Sequence, residues 1–127
     1  MICGVGIDLV ENSRMEKIIE KWGGKFISRF FSDEEMAYCG KHAHPVTHYS
    51  ARFAAKESFL KALGIGLGMG VKLSDISVVN DPNGKPSLHL SGEAKSHIRE
   101  KEITKVHLSL THTKHYASAI VLLESKN

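Results

Sequence analysis

Asp8 and Glu57 are two carboxylates far apart in the chain, the first at the end of an apolar run and the second inside a long stretch free of glycine and proline. Brought together by rigid elements, their oxygens would suit Mg²⁺, which takes few protein ligands and completes its shell with water and substrate phosphates. The plainer readings are a strand-end aspartate capping the following turn and a solvent-facing helical glutamate. Lys61 follows Glu57 by four positions, the better order for a helical ion pair. Beside a polyphosphate the same ammonium would offset charge on the transferring or leaving group. Arg52 and Lys56 add cations to this segment, with solvation of the helix as their simplest role.

Arg14, Lys17, Lys21 and Lys25 recur at helical intervals beside Met15, Ile18 and Phe26. Such a mixture describes a solvated amphipathic helix, or a basic and apolar surface matched to an acidic partner helix. Asn83-Gly84-Lys85-Pro86 is first a hairpin turn, whose lysine is also placed to meet a phosphate. His42, His44 and His48 cluster in sequence without an HExxH or Cys/His framework, which argues against zinc. His112, with Ser109, Thr111 and Thr113, offers hydroxyls and an imidazole near a strand end, either for phosphate or for structural hydrogen bonds.

The elements that must position these groups read as follows. Ile2 to Val10 is a strand that delivers Asp8 near its end. Ser13 with Glu16 predicts a capping box, and Met15, Ile18, Ile19 and Trp22 continue the helix to Gly23-Gly24. A short helical piece carries Phe26, Ile27, Phe30 and Phe31; Ser32 with Glu35 repeats the capping pattern for a helix ending near Gly40. Val46 to Leu63 predicts a long helix with Tyr49, Phe53, Leu60 and Leu63 as its apolar stripe, followed by a glycine-rich loop from Gly64 to Gly70. Ile76 to Val79 and Pro86 to Leu90 form a hairpin, Ser91 caps a helix from Gly92 to Lys101, and Val106 to Leu110 and Tyr116 to Leu123 are strands around a turn at Thr111 to His115. The order β, several α, ββ, α, ββ predicts one α+β domain over residues 1–127, a mostly antiparallel sheet packed against a long helix.

Composition narrows the function. The 127 residues are 42% hydrophobic and 24% charged, enough for one folded core. A net charge of +3 is too small for nucleic-acid binding dominated by phosphates, and no apolar run approaches a membrane span. Asp8 interrupts the first apolar stretch before a signal-type core forms, so a cytoplasmic protein is expected. Cys3 and Cys39 form no CxxC pair and are expected to be ordinary buried thiols.

Taken together, Gly6-Ile7-Asp8-Leu9-Val10-Glu11 with Arg14, Arg52-Phe53-Ala54-Ala55-Lys56-Glu57-Ser58 with Lys61-Ala62 and Gly64, Asn83-Gly84-Lys85-Pro86, and Ser109-Leu110-Thr111-His112-Thr113 resemble the small bacterial type of 4'-phosphopantetheinyl transferase. The resemblance spans nearly the whole chain and implies the fold of that superfamily. It also implies transfer of 4'-phosphopantetheine from coenzyme A to a serine of apo acyl carrier protein, for fatty acid biosynthesis, with release of adenosine 3',5'-bisphosphate. By similarity Asp8 and Glu57 hold Mg²⁺, Lys61 contacts the phosphates, and Glu57, directly or through a metal-bound water, takes the serine proton, which makes Glu57 and Lys61 the catalytic pair. Coenzyme A would meet Arg52, Lys61, Lys85, Ser109 and His112; the carrier protein would meet Arg14, Lys21, Lys25 and Phe26. The family also implies a homotrimer with active sites between subunits. Two other classes fit the residues alone: an adaptor for an acidic helical protein, and a Mg²⁺-dependent hydrolase of nucleotide diphosphates.

Overall fold

The computed structural model describes residues 1–66 and 69–126. In chain order the elements are β1 (Ile2–Glu11), α1 (Asn12–Trp22), α2 (Gly24–Phe30), α3 (Asp33–Gly40), α4 (Pro45–Leu63), a single 3₁₀ turn (Leu73–Asp75), β2 (Ile76–Asn80), β3 (Pro86–Leu90), α5 (Gly92–Glu100), β4 (Ile103–His112) and β5 (Tyr116–Ser125). The α+β class and the antiparallel pairing agree with the expectation, but the strands divide into a three-stranded sheet, β1-β5-β4, and a separate hairpin, β2-β3. Part of the predicted glycine-rich loop, residues 67 and 68, lies outside the described residues.

Helix α4 is the centre of the molecule. The expected apolar stripe is replaced by burial on nearly every side, with Tyr49, Ala51, Arg52, Ala54, Ala55, Lys56, Ser58, Phe59 and Leu60 all enclosed. Its alanines leave room for close neighbours. A Cβ on Gly6 would strike the Ser58 carbonyl oxygen and one on Gly4 the Ala62 carbonyl oxygen, so glycine at both positions lets β1 lie directly on the α4 backbone. Phe59, Leu60 and Leu63 join Leu73, Ile76, Val121 and Leu123 at one end of the core; Met15, Phe31, Cys39 and Tyr49 form the other.

Strand alternation gives β1 two unlike faces. Gly4, Gly6 and Asp8 fall on the α4 side, whereas Val5, Ile7 and Leu9 face outward and are 56%, 62% and 63% exposed. Ile120, opposite both Ile7 on β1 and Ser109 on β4, extends this apolar face across the sheet.

Several local expectations need correction. Ser32 and Glu35 make the predicted capping box at α3, with both reciprocal hydrogen bonds present. The Ser13–Glu16 pattern does not: α1 begins at Asn12, after Glu11, without a side-chain cap. Buried Asn12 instead donates from Nδ2 to the Thr113 and Lys114 carbonyls at 3.2 and 3.0 Å, tying α1 to the β4–β5 turn. Ser91 precedes α5 but gives its hydroxyl to Asp75 at 3.0 Å rather than capping the helix. Of the two cysteines expected to be buried, Cys39 is, with its thiol pushed up to about 12 mainly by that burial, and Cys3 is exposed.

Candidate functional site

Asp8 sits two residues beyond Gly6 on the strand face that meets α4, and its carbonyl accepts a 2.8 Å hydrogen bond from the Ser118 hydroxyl of β5. From α4, Lys61 reaches across to donate to Asp8 Oδ1 at 2.9 Å and to the Ile7 carbonyl at 3.1 Å. Glu57 lies one helical turn before Lys61. Its carboxyl is held above the usual glutamate range, first by burial and then by the negative charge of Asp8, with Lys61 acting in the opposite sense. The two carboxylates therefore share one electrostatic neighbourhood despite their separation in sequence.

They also line one cleft of about 360 Å³ with Arg14, Met15, Ile18, Phe26, Phe53 and Tyr116. Among the described residues no cluster of three or more His, Cys, Asp or Glu side chains suits a metal. A pair of hard oxygen donors beside open space fits Mg²⁺, for which water and phosphate oxygens supply the rest of the shell. After burial, the Asp8 charge is the second cause of the raised proton affinity of Glu57, and a cation between the two acids would relieve that repulsion.

The other nominated residues divide into groups. Arg14 and Phe26 belong to the same cleft. Phe26 packs its ring 5.0 Å from Phe30 and 6.3 Å from Phe53, so α2 is wedged against α4. Lys21 and Lys25 are exposed beyond it, Lys21 lying 5.1 Å from the Trp22 ring. His112 lines a different, larger groove of about 920 Å³ with His42, His44, His48 and Thr113. His48 stacks on His42 at 3.8 Å and lies 6.0 Å from His112. Its imidazole is pushed down to about 4 by burial first, then by His42, Arg52 and His112. Lys85 is exposed on the β2–β3 turn and Ser109 on the outer face of β4; neither lines the Asp8–Glu57 cleft. Arg52 is 2% exposed, its guanidinium 4.0 Å above the Tyr38 ring and bonded to Asn80 Oδ1 at 2.7 Å.

Lys56 does not solvate the helix. Both it and Glu35 have 0% side-chain exposure and pair at 2.6 Å, while Lys56 also donates to the Leu73 and Ile76 carbonyls at 2.9 and 2.5 Å. Glu35 completes the network by accepting from the Ser32 and Val78 amides at 2.9 and 3.0 Å. One buried pair thus joins α3, α4, the 3₁₀ turn and β2. Sequence reasoning missed this role, as it missed Asn80 and the approach made possible by Gly4 and Gly6; the Ser32–Glu35 spacing was the available signal for the acid alone.

A sequence profile described as the 4'-phosphopantetheinyl transferase superfamily matches residues 4–121. The holo-[acyl-carrier-protein] synthase of Syntrophus aciditrophicus is 53% identical over 124 residues, covering 98% of this chain and 97% of that one. The crystal structure of the holo-[acyl-carrier-protein] synthase from Neisseria meningitidis superposes with a TM-score of 0.91 at 32% identity, covering 98% of this chain and 100% of the other. The Bacillus anthracis synthase, crystallised in complex with CoA (3',5'-ADP), superposes with a TM-score of 0.81 at 38% identity over 99% of each chain.

Proposed function

We propose, for a chain that belongs to the 4'-phosphopantetheinyl transferase superfamily, that the Asp8–Glu57–Lys61 cleft moves 4'-phosphopantetheine from coenzyme A to a serine hydroxyl of apo acyl carrier protein. The products are holo acyl carrier protein, used in fatty acid biosynthesis, and adenosine 3',5'-bisphosphate. The observation that carries this reading is the meeting of two carboxylates, from β1 and α4, in one cleft, with the Lys61 ammonium bonded to Asp8 at 2.9 Å.

Phosphoryl transfer asks for positioning and charge neutralisation more than covalent chemistry from the protein. Asp8 and Glu57 are the residues that would hold Mg²⁺, which when bound supplies neutralising charge to the donor's diphosphate. Lys61 is about half exposed, with a side-chain value of 54%, and swings between Asp8 and a phosphate oxygen without unpacking α4. The serine oxygen forms a bond to the phosphorus next to pantetheine as the bond from that phosphorus to the departing nucleotide breaks. Glu57, whose proton affinity is raised, takes the serine proton, directly or through water. Arg14, Lys21 and Lys25 supply positive charge and Phe26 an apolar contact for an acidic carrier helix.

The exposed face formed by Val5, Ile7, Leu9 and Ile120 serves as the contact between subunits of a homotrimer. Such an assembly brings Arg52, Lys85, Ser109 and His112 of one protomer to the nucleotide held by the next. The separation of these residues from the Asp8–Glu57 cleft within one chain supports that arrangement. The proposed site of action is the cytoplasm, consistent with the lack, among the described residues, of a helix long and apolar enough to cross a membrane.

The test is mass spectrometry of apo acyl carrier protein incubated with the protein, coenzyme A and Mg²⁺. The carrier gains one phosphopantetheine with the wild type and none with folded Asp8→Ala or Glu57→Ala. Full activity in both variants would reject the metal assignment. Carrier binding without consumption of coenzyme A would replace the transferase by an adaptor.

A further inference from the structure

Arg52 poses an electrostatic problem that the fold leaves open. Its guanidinium is almost wholly buried, yet among the described residues no carboxylate forms an ion pair with it. Its contacts are the face of Tyr38, the His48 carbonyl at 3.5 Å and Asn80 Oδ1 at 2.7 Å, and its Nε has no partner. The buried acid on this side of α4, Glu35, is already bonded to Lys56. Two enclosed cations thus stand against one enclosed carboxylate. A buried arginine with a purely structural role is normally given an acid, because an uncompensated interior charge is costly.

Position 80 is where that acid would stand, and it holds the neutral isostere of aspartate. The amide does two things. Its oxygen, the only acceptor in that side chain, orients the guanidinium without cancelling its charge. Its nitrogen donates to the Gly84 carbonyl at 3.0 Å, fastening the turn in which Asp81 Oδ1 accepts from the amides of Asn83 and Lys85, both at 2.9 Å. The field of Arg52 extends beyond its own pocket, since it is among the charges that disfavour protonation of His48, a residue lining the larger groove with His112.

We infer that Asn80 is a positioning residue for the phosphate-bearing nucleotide half of the donor: it holds Arg52 with its charge intact and locks the Lys85 turn to it, so that both cations face one anion. This inference rests on the proposed use of coenzyme A as donor and deepens it. The same geometry explains why a neutral side chain stands at 80, since an acid there would satisfy Arg52 internally and remove its attraction for a ligand.

The experiment measures binding of adenosine 3',5'-bisphosphate to the full-length protein by calorimetry at fixed salt, together with Tm and steady-state kinetics, for Asn80→Asp and Asn80→Ala. Asn80→Asp is expected to keep or raise Tm while weakening nucleotide binding by about tenfold or more, because the new carboxylate neutralises Arg52. Its KM for coenzyme A rises while its KM for the carrier protein stays at the wild-type value. Asn80→Ala leaves the charge free but unanchored and weakens binding less. Nucleotide affinity in Asn80→Asp within twofold of wild type, or losses that merely follow Tm across the variants, would overturn the inference. Should Asn80→Asp fail to fold, Asn80→Ser decides: about threefold or greater weakening at unchanged Tm supports the inference, and affinity within twofold of wild type overturns it. Failure of the wild type to bind the nucleotide would bring down the donor reading itself and this inference with it.

Discussion

Replacing Lys56 by methionine tests whether the interior ion pair holds the architecture around α4. The substitution replaces the side chain by an unbranched apolar one a single atom shorter and leaves the Glu35 carboxylate with 0% exposure and no ion-pair partner. It also removes the donor that satisfies the Leu73 and Ile76 carbonyls. Breaking a buried pair by removing one partner costs about 3–5 kcal/mol, and the two orphaned carbonyls push this case toward the upper end. Stability for 127 residues is on the order of 6–19 kcal/mol at ordinary values per residue, so the loss is a large fraction of the total. Thermal midpoints should fall by about 10–20 °C. Glu35→Gln is predicted to cost less than Lys56→Met. Burial already holds the Lys56 ammonium below the usual lysine range, so it can shed its proton once the acid is gone. The Glu35→Gln/Lys56→Met double variant removes both charges and should regain much of the loss. Urea unfolding of the four proteins at one concentration gives the coupling energy, expected at about 2 kcal/mol or more. Strict additivity, or a Lys56→Met loss below about 1 kcal/mol, would refute the reasoning.

Other perturbations address the site directly. Gly6→Ala drives a Cβ into the Ser58 carbonyl; the expected outcome is a stability loss of about 2–3 kcal/mol and separation of Asp8 from Glu57, read as a fall in Tm and a larger fall in transfer rate. Glu57→Gln should abolish transfer yet match or exceed the wild type in stability above neutral pH. A carboxyl whose folded pKa is raised contributes stability that is lost as pH rises through that value, and a Tm-against-pH comparison exposes the difference. His48, held near about 4 in the folded chain against 6.5 as its ordinary value, binds more protons when unfolded; its contribution is full above 6.5 and declines as pH falls toward 4. His48→Phe should flatten that part of the stability profile in acid titrations. Leu9→Asp, on the exposed face of β1, should convert the proposed trimer to monomers in light scattering, and an oligomeric state equal to that of the wild type would remove this face from the proposed interface.

The limits of the sequence are clearest where one pattern had two outcomes. Ser13–Glu16 and Ser32–Glu35 share the capping spacing, but only the second forms the box. At the first site β1 runs straight into α1, and Asn12 is occupied by the Thr113 and Lys114 carbonyls, so no free N-terminal turn exists for Ser13 to cap. At the second, the local box is reinforced by Lys56, which arrives from a helix 21 positions away in the chain. The catalytic candidates were legible because their chemistry depends on residue type and on placement in rigid elements, both of which local pattern conveys. Depth was not legible. A helix enclosed on nearly all sides loses the periodic contrast between apolar and polar faces, so Arg52, Lys56 and Lys61 look alike in sequence although only Lys61 reaches solvent. What separates them is the nearness of β1, which Gly4 and Gly6 permit only once α4 lies against them. The meeting of Asp8 with Glu57 is therefore a property of backbone approach, and no reading of the carboxylates alone contains it.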